Sequence, residues 1–268
     1  MDVVLTPRDE TRKSVEMTNK PIVLIQAGTA PDKIRKEVGD YPSWFCSALD
    51  LDLENLEIVR VFEGEVLPSP DPARAAIITG SFAMVTDRLL WSETTAQWIR
   101  DAMTVEMPLF GVCYGHQLMA HALGGRVGYH PAGQEIGCQE IRLLDSAAAD
   151  PLLTGMPARF AAHLTHLQSV IDVPPGARVL AASDHDPHQI IRYGRQAISA
   201  QFHPEFDREI CAAIVRLHAD SVREEGGDPD ALLAQITSTA EAKALLTRFV
   251  EQALGRPATR AGDTLTLP

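Results

Sequence analysis

The chain has 268 residues, 45% of them hydrophobic, which suits one large domain with a well-buried core. Its formal net charge of −12 repels phosphate backbones and anionic membranes, so neither nucleic acid nor a membrane is an expected partner. The four cysteines, Cys46, Cys113, Cys138 and Cys211, form no C-x-x-C pair, and no apolar stretch reaches the roughly 18 residues of a membrane span.

Residues 1–20 are polar and aperiodic and lack the apolar core of a signal peptide. They read as a flexible leader to a cytoplasmic protein with reduced thiols. The domain is expected over residues 21–254, with 255–268 as a Gly- and Pro-opened tail. Within it, "PIVLIQAG" (21–28), "LEIVRVF" (56–62), "ARAAIITG" (73–80) and "PLFGVC" (108–113) are short apolar runs of the kind buried in parallel sheets. Helical patterns alternate with them at 43–52, 92–103 and 115–125, with Ser92 as a candidate N-cap. Later strands are expected at 135–144, 177–183 and 196–202, and two closing helices at 206–225 and 230–254. The alternation predicts an open, mostly parallel α/β sheet.

The fourth strand runs into "GVCYGHQ" (111–117). Strand, Gly-x-Cys-x-Gly, helix is the order of a nucleophile elbow. A sharp turn there lifts the Cys113 side chain above the sheet, and the new helix turns its positive end toward the sulfur. That matters because a free thiol with a pKa of about 8.5 is mostly protonated at neutral pH. The N–H of Tyr114 would face a developing oxyanion. Cys46, Cys138 and Cys211 read as ordinary buried thiols. The base is expected in "QFHPEF" (201–206), where Pro204 keeps His203 extended. In extended backbone residues i and i+2 share a face, so Glu205 can orient the His203 ring. The stretch "ASDHDPHQ" (182–189) could suggest a metal, but it lacks helical spacing and reads as a solvated loop.

Together these segments resemble the class I (triad) glutamine amidotransferases. "GVCYGHQ" is similar to that family's nucleophile motif and "QFHPEF" to its His-x-Glu motif, in the family's order. "IITGS" (77–81) and "HLQSVIDVPPGARVLAAS" (166–183) resemble two further blocks. With "PAGQEIG" (131–137), the likeness is to the stand-alone type related to the amidotransferase domain of GMP synthase. The resemblance implies a single-domain flavodoxin-like sheet with helices on both faces. It implies hydrolysis of the glutamine side-chain amide through a thioester on Cys113, with His203 and Glu205 completing the triad and no metal or cofactor. Gly80, Ser81, Phe82 and Tyr114 would supply oxyanion and substrate donors. Gln117 would meet the α-amino or α-carboxylate end, and His166 and Leu167 would form a wall. Two positions depart from the pattern: Phe82 after "TGS", and Gln168 where the family often has Asp. No ATP-binding P-loop is present, so ammonia would pass to a separate synthetase, if to any acceptor. A γ-glutamyl peptide hydrolase with the same triad is the alternative. A non-catalytic binding partner is a third reading, against which the intact Cys113, His203 and Glu205 count.

Overall fold

The computed structural model describes residues 21–255; the leader and all but the first residue of the tail lie outside the described residues. The strands are β1 (Ile22–Gln26), β2 (Leu56–Arg60), β3 (Ala75–Ile78), β4 (Leu109–Val112), β5 (Arg126–Tyr129), β6 (Glu135–Leu143), β7 (Arg159–His166), β8 (Gln168–Asp172), β9 (Arg178–Ala182), β10 (Ile190–Arg192) and β11 (Ala197–Ala200). The helices are α1 (Asp32–Val38), α2 (Tyr41–Leu49), α3 (Leu90–Thr104), α4 (Tyr114–Ala122), α5 (Arg208–Leu217), α6 (Ala219–Glu224), α7 (Pro229–Ala234) and α8 (Ala240–Ala253).

Nine strands form one sheet in the order β2-β1-β3-β4-β11-β10-β9-β6-β7. The pairs from β2 through β11 are parallel. Beyond β11 every pair is antiparallel, so only β10 and β6 run against the rest. The expected open, mostly parallel sheet is therefore present, extended by an antiparallel flank. β5 and β8 form a separate antiparallel ribbon.

Both faces are covered. All five residues of β1 are buried, and they alternate between two cores. Ile22 and Leu24 pack with Trp44 and Phe45 of α2 and with Phe249 of α8, while Val23 and Ile25 pack with Trp98 and Ile99 of α3 and Leu118 of α4. This is why the parallel strands read as continuous apolar runs rather than alternating ones.

Several expectations are corrected. Ser92 does not cap α3; Leu89 precedes the helix, and Ser92 is buried within it, hydrogen-bonded to the Tyr114 hydroxyl at 2.6 Å. The helix expected at 206–225 breaks at His218. The one expected at 230–254 breaks between α7 and α8, where Thr237, Ser238 and Thr239 disfavour a helix interior. The stretch at 182–189 is not a solvated loop. Its Ser183 oxygen accepts from the N–H groups of His185 and Asp186, and Asp186 Oδ1 accepts from the N–H of His188. Ser183, Asp186 and Gln189 are buried, while Asp184 and Pro187 face outward. Among the described residues no helix is long and apolar enough to cross a membrane.

Candidate functional site

β3, β4 and β11 are neighbours, and their C-terminal ends lie together. Gly80 follows β3, Cys113 follows β4 and His203 follows β11, so three distant segments converge on one sheet edge, where α/β proteins build sites.

Cys113 occupies the turn between β4 and α4 with φ 51° and ψ −100°. A non-glycine residue pays for such a backbone with strain, which persists only where the surroundings enforce it. Here they do. The Cys113 N–H donates to Ala200 O at 2.9 Å, and the Gly115 N–H donates to Thr79 O at 3.2 Å, tying the turn to both neighbouring strands. Glycine is required at 115, since a Cβ there would lie 2.4 Å from Ile78 O. The sulfur sits at the N-terminus of α4, 3.6 Å from Thr165 O.

His203 is buried, and its N–H donates to His163 O of β7 at 2.8 Å. Its Nδ1 is 2.8 Å from Glu205 Oε1, and among the described residues Nε2 makes no hydrogen bond. Burial alone would lower the His203 pKa, but the charges of Glu205 and Cys113 outweigh it and raise the pKa to about 10. The ring stacks on Phe206 with centroids 3.9 Å apart. On its edge lies Gly80, where a Cβ would come within 2.9 Å of His203 Cε1, so position 80 must be glycine for the ring to stand there.

Cys113 and His203 face one cavity of about 70 Å³, which Ser81, Phe82, Tyr114, Gln117, His166 and Leu167 also line. Glu205 and Gly80 stand behind His203 rather than on the cavity wall. The His166 ring is turned into the protein, with Nε2 2.8 Å from Glu135 Oε2 and Nδ1 3.0 Å from Gln168 O. Glu135 also accepts from Ser183 Oγ and Gln189 Nε2, so its carboxylate is the hub that fixes this wall. Gln117 donates through Nε2 to both Gln168 O and Gln201 Oε1. Both of its amide hydrogens are spent, and only its oxygen is left to offer a ligand.

Tyr41, Thr165 and His218 also line the cavity and have no counterpart in the sequence reading of the site; Gln168, noted there only as a departure from the family pattern, lines it too. Burial, with Cys113, Glu205 and Asp40 nearby, pushes the Tyr41 phenol well above its ordinary pKa, so it stays neutral. Tyr41, Thr165 and His218 each arrive from a segment whose placement depends on long-range packing, and none of the three sits in a quoted motif. Among the described residues no group of three or more His, Cys, Asp or Glu side chains is placed to hold a metal ion.

The model of the glutamine amidotransferase class-I family matches residues 55–210. Gamma-glutamyl peptidase 5 of Arabidopsis thaliana is 26% identical over 200 residues, covering 73% of this chain and 80% of that protein. A glutamine-hydrolyzing GMP synthase of Aeropyrum pernix is 32% identical over 142 residues, covering 53% of this chain but 25% of that protein. The crystal structure of a glutamine amidotransferase from Thermotoga maritima shares the fold, with a TM-score of 0.66 over 88% of this chain and 98% of that one at 19% identity. With its parallel sheet, its strained cysteine turn and more than half its length matched by the family model, the chain belongs to the class-I glutamine amidotransferase family.

Proposed function

We propose that this protein hydrolyses the γ-carboxamide of γ-glutamyl compounds through a thioester on Cys113, glutamine being the smallest such substrate. The observation that carries the reading is the pairing, across one cavity, of a cysteine on a strained helix-start turn with a buried histidine that Glu205 holds charged. A protonated His203 beside Cys113 favours the thiolate, the attacking form.

The sulfur of Cys113 bonds to the γ-carbonyl carbon and the carbonyl oxygen takes up the negative charge. The Tyr114 N–H, which has no helical acceptor at the first position of α4, and the backbone donors of 80–82 would hold that oxygen. The carbon–nitrogen bond then breaks as His203 delivers its proton to the leaving nitrogen. Water attacks the γ-glutamyl thioester, His203 takes the water's proton, and glutamate leaves with Cys113 restored. Glu205 orients the ring throughout. The free oxygen of Gln117 suits a donor, so it would accept from the α-ammonium rather than meet the α-carboxylate.

A larger leaving group than ammonia is favoured by one observation. Gln168 ties down the loop after the oxyanion segment through Thr86 within this one chain, so the site needs no docked synthetase to hold that loop. The likeness to a relative named as a γ-glutamyl peptidase over most of its length supports the same direction. The test measures ammonia, glutamate and amine release from glutamine and from γ-glutamyl peptides by purified protein at one pH. Cys113-dependent release of glutamate supports the reading; no release from any of these substrates overturns it.

A further inference from the structure

The chemistry proposed above fixes where a leaving group must lie. The departing nitrogen has to reach His203 to be protonated, so whatever it carries extends over the His203 side of the cavity. That side is apolar: Phe82, Phe206 and Ile214 line it together with His218. Phe82, the residue that departs from the family pattern, is 37% exposed. Its ring runs parallel to that of His218 within 2°, with centroids 6.4 Å apart. His218 stands at the break between α5 and α6, so the helix interruption sets this ring at the cavity. Among the described residues its buried Nε2 has no partner, an unmet donor or acceptor beside an apolar shelf. Burial lowers the His218 pKa, which leaves the ring uncharged at neutral pH and suited to flat contact.

Gln134 is shared with an adjoining space of about 440 Å³, whose wall carries Glu135, Glu140, Asp184 and Glu225. An anionic leaving group extending that way would meet four carboxylates with no lysine or arginine on the wall itself; Arg159 and Arg142 pair with Glu140 and Asp184 from outside it, while Glu225 faces the space without such a pair among the described residues.

We infer that Phe82 and His218 form a leaving-group subsite that selects γ-glutamyl amides of uncharged amines with an apolar, preferably aromatic, body. The inference rests on the γ-carboxamide hydrolysis proposed above. The atoms balance as there: the carbon–sulfur bond forms, the carbon–nitrogen bond breaks, and the amine leaves neutral with the proton from His203.

The test compares kcat/KM for γ-glutamyl benzylamide, γ-glutamyl methylamide, γ-glutamyl-glutamate and glutamine, using the full chain. The benzylamide should exceed the methylamide and the acidic dipeptide by roughly tenfold or more, within the range apolar pockets achieve. His218→Asp should lower the benzylamide-to-methylamide ratio by about tenfold, mainly through KM, and His218→Phe should preserve it. Thermal midpoints of both variants separate unfolding from lost selectivity. Cys113-dependent turnover with a flat preference, or a ratio untouched by His218→Asp in a folded protein, overturns the subsite while leaving the hydrolase reading intact. No turnover of any γ-glutamyl compound overturns both.

Discussion

Gln168, the first residue of β8, grips Thr86 from across the cavity. Its Nε2 donates to Thr86 Oγ1 at 2.5 Å, and its Oε1 accepts from the Thr86 N–H at 3.4 Å. The two residues stand 82 positions apart, and Gln168 is buried. The grip fixes the segment between Phe82 and α3 to the same wall that Gln117 and His166 contact through Gln168 O.

Removing the grip should loosen the oxyanion segment without touching the reacting atoms. Gln168→Ala is expected to lower kcat about tenfold or more, with a smaller change in KM, because the oxyanion donors act mainly in the transition state. Thr86→Val should reproduce most of that loss. Steady-state kinetics on glutamine and one γ-glutamyl amide measure it. Wild-type kcat in both variants would show that the segment stands without the grip.

The cysteines should separate by environment. Cys113→Ala is expected to abolish thioester formation and hydrolysis while keeping the fold, since a turn-top thiol contributes little packing. Cys138 is half-buried and differs from the other two thiols. Burial tends to raise its pKa, but hydrogen bonds with His163 and Thr237 bring it down to about 7. Burial pushes Cys211 up to about 12 and raises Cys46. Iodoacetamide at pH 7.5 should therefore label Cys138 even in Cys113→Ala, and should spare Cys211. Peptide mapping after a short exposure decides this. Equal labelling of Cys138 and Cys211 would contradict the assigned environments.

Much of the sheet and the elbow was legible in the sequence, because both are local. Apolar runs mark β1 to β4, and Gly-x-Cys-x-Gly carries its own geometry. β7 and β8 were not legible as strands, since Leu167 alone separates them and no turn signal intervenes. Their polar residues are buried against distant partners: His166 and Gln168 against β6, α4 and the loop before α3, and His163 against the carbonyls of Phe206 and Thr237; such satisfaction cannot be read from one segment. The same holds for 182–189, whose polar letters suggest solvent while Ser183 and Glu135 join it to the interior. His218 breaks a stretch with strong helical spacing, and its contact with Phe82 lies 136 positions away, so nothing local announces it.

The fold itself depends on a buried pair. Arg192 of β10 donates through Nε and a terminal nitrogen to the two oxygens of Asp150, at 2.9 and 2.7 Å, with both side chains almost fully buried. Removing Arg192 leaves the buried Asp150 carboxylate with only the half-exposed Arg178 at 4.0 Å and the Leu152 N–H at 3.1 Å to compensate it. Arg192→Ala should cost about 3–5 kcal/mol of stability, read from denaturant unfolding. A loss below about 1 kcal/mol would mean the pair behaves like an exposed one.

The His203–Glu205 pair should set the alkaline limit of activity. The His203 pKa is raised from the ordinary 6.5 of a histidine to about 10 in the folded protein. A histidine held above its unfolded value contributes stability that is fully present below about 6.5 and lost as pH rises through the folded pKa. The charged ring is also the proton donor to the leaving nitrogen and the partner of the thiolate. In wild type, kcat/KM should accordingly hold through pH 8–9 and fall only as pH approaches 10. Glu205→Gln keeps the shape of the side chain and removes its charge, so the alkaline limb should move toward neutrality while some turnover persists. His203→Ala should lose far more, since it removes both the charged partner of the thiolate and the proton donor held beside it. A pH profile of kcat/KM for each protein checks this, with thermal midpoints across the same range to follow the stability. An alkaline limb at the same pH in wild type and Glu205→Gln would remove Glu205 from control of His203 and leave its charge to Cys113 alone.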